Sequence, residues 1–159
     1  MIAPLLLVTA TLLYAGYNLL IKVSGAHVPQ EATSSVLAAI CLQVAALATS
    51  STFAVSLLVL KDGQHLQLST GAYLWAAAAG LCIGGAEIVY FYLFSGFGSV
   101  KPMAASVAIP TIVGGTIVIT LLVSLFVLRE GVTWNQWLGG GCIVLGIALL
   151  FLRTTGEPA

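Results

Sequence analysis

Five long apolar runs, near residues 3–21, 36–60, 71–97, 102–128 and 134–152, dominate the chain, and every charged residue except Glu87 lies between or beyond them. The hydrocarbon core of a bilayer is about 30 Å thick, so a helix needs about 20 apolar residues to cross it. Each run has about that length. Charged residues make up 6% of the 159 and hydrophobic residues 60%, against about 25% charged in a soluble domain. The remainder is short connections and a tail, with no room for a separate soluble domain. The expected fold is an all-α integral membrane protein. It is a single domain over residues 1–159 with five transmembrane helices, and its first partner is the lipid bilayer.

A transmembrane β-barrel alternates apolar and polar residues in segments of about ten. Runs such as "LLLVTATLLYAGYNLLI" and "IVITLLVSLFVL" are instead continuously apolar, and a helix satisfies its backbone within one segment, as lipid requires. Pro4, the Thr33–Ser35 stretch and Thr133 supply starts for the first, second and last helices. The first run reads as a span rather than a cleaved signal peptide, because no basic segment precedes it and Lys22 follows it. Cys41, Cys82 and Cys142 each fall inside a span at spacings that suit neither a metal site nor a disulfide framework, so they read as small packing residues. A net charge of zero gives no electrostatic case for nucleic acid. With no phosphate loop, zinc-ligand spacing or nucleophile elbow, no enzyme, metal or cofactor is expected.

Orientation is weakly marked. With five spans, Lys61 and Arg129 lie on one side and Lys22, Lys101 and Arg153 on the other, a difference of one for a rule that reads an excess of basic residues as cytoplasmic. It points the C-terminus inward, or allows insertion both ways with two copies paired antiparallel.

The feature that singles out a site is Glu87, alone in its run. A carboxylate facing lipid at that depth costs several kcal/mol, so it must face protein or a water-filled cavity. A desolvated carboxyl can exchange a proton near neutrality, as a proton-coupled transporter or a binder of cationic substrates requires. It can also simply fix packing. Gly80, Gly84 and Glu87 share a helix face, with Tyr90 and Phe91 one turn on, and aromatic faces attract organic cations. The first helix repeats polar residues at Thr11, Tyr14, Asn18 and Lys22, a stripe expected to face inward. Asn18 and Glu87 lie nearer the same surface, so a polar pocket between the first and third helices is expected. Lys22 reads as snorkelling to the headgroups rather than pairing with Glu87, and Tyr92 and Phe97 as interfacial anchors. Gln43 is the second helix's cavity candidate.

In the fourth helix Pro110, Gly114 and Gly115 free a backbone carbonyl and soften the helix, as in helices that line transporter sites. A structural kink is the equal alternative. In the fifth, Gly139, Cys142 and Gly146 form a small-residue face for close helix approach, within the bundle or between chains. Trp134 and Trp137 stand where an interfacial belt belongs.

Residues 97–152, "FGSVKPMAASVAIPTIVGGTIVITLLVSLFVLREGVTWNQWLGGGCIVLGIALLFL", resemble the second half of an EamA-type repeat of the drug/metabolite transporter superfamily. Arg129 and Glu130 match its Leu-(Gly/Arg)-Glu element, and Gly139, Ile143, Gly146 and Ile147 its closing helix. "NLLIKVSG" and "YFYLFSGFGSV" look like their counterparts. The resemblance implies a secondary transporter, often an exporter, of small metabolites or drugs in a cell membrane, most often the bacterial inner membrane. It also implies a homodimer, antiparallel if the topology is dual, in which helices one to four line the cavity. Small multidrug relatives carry their essential glutamate in the first helix, where this chain has Asn18, so Glu87 does not inherit that role by position. The alternatives are a non-transporting membrane subunit or assembly partner and a lipid-linked sugar flippase component.

Overall fold

The computed structural model describes residues 2–60 and 67–151. Those residues form five helices, α1 (Ile2–Gly25), α2 (Ala32–Leu60), α3 (Thr70–Ser95), α4 (Ala105–Phe126) and α5 (Trp134–Phe151). Each is long and apolar enough to cross a membrane, compatible with a multi-pass membrane protein. The described structure is all-helical, with only an isolated bridge between Phe97 and Val100. Lys61 and Arg153, counted for orientation, lie outside the described residues, as does Leu152 at the end of the last expected span.

The spans fall where the apolar runs put them, but their ends differ for local reasons. Helix α1 continues past Lys22 to Gly25, and α2 begins at Ala32, so the Thr33–Ser35 stretch belongs to its first turn. Ser69 caps α3, its hydroxyl accepting from the Ala72 amide at 3.2 Å. Gly96 ends that helix at φ 83°, a conformation that costs a side-chain-bearing residue free energy. Helix α4 is shorter than its apolar run, with Ala104 as its N-cap and its end at Phe126. Thr133 does start α5: its amide donates to Gln136 Oε1 at 2.7 Å, the reciprocal half of a capping box.

Two compact units divide at Pro102/Met103. In the first, α3 packs on both α1 and α2. Helices α1 and α3 run in parallel, with Tyr17 beside Glu87 and Asn18 beside Tyr90. Helix α2 runs antiparallel to α3, Ser35 meeting Ser95 and Gln43 lying against Gly84. At one end the packing is tight. A Cβ on Gly25 would stand 2.7 Å from the Phe94 Cβ, so only glycine permits this approach of α1 to α3. Ile21, Gly25, Ser35, Ala39, Phe91, Phe94 and Ser95 are all buried there.

The other half of the unit is different. Residues 2–15 of α1 are all exposed, and neither α2 beyond Ala39 nor α3 before Glu87 buries a single residue. Fully buried side chains are confined to one end of the three helices, while in the other half α2 still meets α3 at Gln43 and Gly84.

The second unit is the pair α4 and α5. Gly114 is buried at their contact, where an added Cβ would meet Ile147 Cδ1 at 2.8 Å and Ile143 Cγ2 at 2.9 Å. Gly140 lies against Leu121. Between the two helices Arg129 adopts φ 55°, and the Glu130 amide donates to the Ser124 carbonyl at 2.9 Å.

Candidate functional site

Glu87 is the eighteenth residue of α3 and stands eight residues before its end, a depth of about 12 Å at 1.5 Å per residue. Its side chain is 2% exposed. The burial follows from its place on the face that α3 turns to α1. The Tyr17 hydroxyl donates to Glu87 Oε1, while Oε2 is buried without a hydrogen-bond partner. A polar group in this state costs free energy unless it finds a donor or carries its own proton.

One turn further on, the Tyr90 hydroxyl donates to Asn18 Oδ1 at 3.0 Å, and Asn18 Nδ2 donates to the Tyr14 carbonyl at 2.8 Å. Asn18 and Tyr90 are both buried. Their bond satisfies two groups that would each be costly alone. The rings form a chain: Tyr14 meets Tyr17 edge-on at 6.2 Å, Tyr17 lies 6.5 Å from Tyr90, and Tyr90 meets Phe94 edge-on at 5.5 Å. Lys22 Nζ stands 5.3 Å over the Phe94 ring, within cation–π range. The continuation of α1 to Gly25 keeps Lys22 inside the helix at this contact.

Glu87, Asn18 and Tyr90, expected to share a site, are brought together. Tyr14 enters differently: the residue is 66% exposed, its ring edge meets Tyr17, and only its backbone carbonyl joins the hydrogen-bond network. Thr11, from the same stripe, is exposed and bonds the Leu7 carbonyl. A hydroxyl satisfied by its own helix needs no polar interior, which is why the stripe and the buried face do not coincide. Tyr17 is the participant that sequence reasoning missed. It precedes Asn18 and stands four residues before buried Ile21, spacing that would have placed it on the α3-facing side. Gln43 is exposed, and its amide lies against Gly84, where a Cβ would be 3.4 Å from Nε2. Glycine at 84 thus makes room for a polar group one turn from Glu87.

Near the packed end, the Ser35 and Ser95 hydroxyls are 3.0 Å apart, and the Ser95 hydroxyl also donates to the Phe91 carbonyl at 2.7 Å. The Tyr92 hydroxyl donates to the Ala32 carbonyl and its ring lies 4.7 Å from Phe97, so Tyr92 ties α3 to α2 besides standing near a span end.

In the second unit α4 runs on through exposed Pro110 without interruption. Gly114 serves the α5 contact, and Gly115 has open space beside it. Among the described residues a Cβ on Gly139 or Gly146 would meet nothing within 4 Å, and Cys142 is exposed, so α4 does not use this small-residue face. With Trp134, Trp137, Leu138, Gly141 and Leu145, Cys142 lines a shallow groove on α5. Cys41 and Cys82 are likewise exposed rather than packed inside. Among the described residues no group of three or more His, Cys, Asp or Glu is placed to hold a metal ion.

No protein-family model matches this chain, no curated protein matches its sequence, and no solved structure matches its fold.

Proposed function

We propose that this protein is a secondary transporter of a small metabolite or drug-like molecule, of the drug/metabolite type and working by alternating access. Glu87 takes up and releases a proton or a cationic group. The observation that carries the reading is the Glu87 carboxyl itself, buried inside an apolar helix with one oxygen held by Tyr17 and the other unpartnered. Ionisable groups at such depth are expensive, and they mark ion and substrate pathways by default. A carboxyl fixing packing alone would be expected to have both oxygens satisfied.

Asn18, Tyr90, Gln43 and Tyr14 shape the surroundings, Tyr14 through its carbonyl and its exposed ring. Pro110, Gly114 and Gly115 give α4 a place to flex. The working form is a homodimer of two copies, antiparallel if the topology is dual, in a cell membrane, for which a bacterial inner membrane is the expected setting. No chemical catalysis or cofactor is required by this reading.

A second reading, a membrane subunit that transports nothing, is favoured by the unused face of α5 at Gly139, Cys142 and Gly146. A flippase for a lipid-linked sugar ranks third, because its phosphate would call for more cationic groups than Lys22 and Lys101.

The deciding experiment is gradient-driven uptake into vesicles of purified protein. Glu87→Gln should abolish uptake while leaving yield and helicity intact. Uptake with wild-type pH dependence in that variant would remove the coupling role. A stoichiometric foreign partner after mild-detergent purification would favour the subunit reading.

A further inference from the structure

Glu87, Asn18 and Ala39 occupy one level of the first unit. Glu87 is the first buried residue of α3, Asn18 the first buried residue of α1 and Ala39 the last of α2. On one side of that level the helices are packed, and on the other no side chain of the unit is buried. Tyr17 stands at the boundary. It is half-buried, while its bonding partner Glu87 is enclosed and its ring neighbour Tyr14 is exposed. Gln43 and Gly84 mark the same boundary on α2 and α3.

We propose that Tyr17 is the lid of the Glu87 site: a proton reaches the carboxyl from the half of the unit that buries no side chain, past the half-buried Tyr17 ring, whose hydroxyl leaves Oε1 as the ring swings aside. The inference rests on the reading of Glu87 as an exchange site and adds the residue that controls entry. Tyr17 holds one oxygen, so an arriving proton finds Oε2 without competition once the ring swings aside. Tyr90 is unsuited to the task because its hydroxyl is committed to Asn18. The titratable groups around the site are Tyr17 and Tyr14 from α1 and Tyr90 from α3, with Lys22 held over Phe94 further along. Helix α2 presents Ser35, Ala39 and Gln43, none of which titrates.

The test is modification by dicyclohexylcarbodiimide, an apolar reagent for protonated carboxyls, at one pH in one detergent, with the adduct mapped to the peptide containing Glu87. The wild-type chain should label slowly. Tyr17→Phe, which keeps the ring and removes the hydroxyl, should label about tenfold faster, the change expected for one lost hydrogen bond to a carboxylate. Tyr17→Ala should be faster still. Tyr92→Phe, which removes the hydroxyl that ties α3 to α2 at the packed end, should label at the wild-type rate. Wild-type rates in both Tyr17 variants would overturn the lid, as would equal acceleration by Tyr92→Phe, which would mean general loosening. If Tyr17→Ala fails to fold, the isosteric Tyr17→Phe decides alone. Labelling needs no transport, so loss of the transport reading and loss of the lid show up in different measurements.

Discussion

The hydroxyls of Ser35 and Ser95 meet at 3.0 Å, at positions 0% and 3% exposed, joining the start of α2 to the end of α3. Replacing Ser95 with Ala leaves the Ser35 hydroxyl buried without that partner, at a cost of about 1–3 kcal/mol. Thermal unfolding in detergent should show the loss. The double variant Ser35→Ala/Ser95→Ala should recover part of it, because it leaves neither hydroxyl unpaired.

Two glycines should respond unequally to an added methyl group. At Gly25 the obstacle is the Phe94 Cβ with backbone behind it, whereas at Gly114 it is the ends of two isoleucine side chains. Gly25→Ala should cost about 1–3 kcal/mol, the range for overpacking a tight contact. Gly114→Ala should cost less, since the Ile143 and Ile147 tips can move. Equal losses of thermal stability in the two variants would contradict the packing described for α1 on α3.

Gly139 and Gly146 bear on assembly rather than on folding. Both face open space, so Gly139→Leu and Gly146→Leu should leave the helicity and thermal unfolding of the isolated chain unchanged. If α5 forms the face between two copies, each change lowers the dimer fraction seen by light scattering in detergent. A wild-type dimer fraction in both places the contact elsewhere.

Arg129 holds φ 55° between α4 and α5, a conformation that costs a residue with a Cβ about 1–2 kcal/mol and a β-branched one more. Arg129→Gly should therefore hold or raise the unfolding temperature, and Arg129→Val should lower it. The reverse order would mean that Arg129's side chain, rather than its backbone, sets this turn.

The five helices were legible because continuous apolar runs of membrane length admit almost no other structure. Their ends were less so. Lys22 resembles a terminus on composition, yet it can stay helical with its ammonium over Phe94. Thr33–Ser35 resemble a cap, yet Ser35 finds a buried partner on another helix. In the site, Glu87 announces itself as a lone charge, and helix direction alone brings Asn18 to its level. Tyr17 does not announce itself, because tyrosine in a span reads equally well as an anchor, and only the rotation of α1 about its axis decides between Tyr14 and Tyr17. Gly25 against Phe94, a contact 69 residues apart in sequence, fixes how closely that face of α1 approaches α3. The unpartnered α5 face was visible as a glycine pattern, but its not being used by α4 was not.

The confinement of buried side chains to one end of α1, α2 and α3 has a mechanical side. Residues 2–15 of α1 extend about 21 Å beyond the packed end, so in a tilt of α1 with its fulcrum at the level of Asn18 and Glu87 they would be the long arm. A tilt of about 5° at the fulcrum would carry the far tip about 2 Å along that arm, while the atoms at the fulcrum hardly move. The Tyr17–Glu87 bond lies where the displacement from such a tilt is smallest. Such a tilt would therefore carry the outer half of the helix sideways while leaving that bond in place.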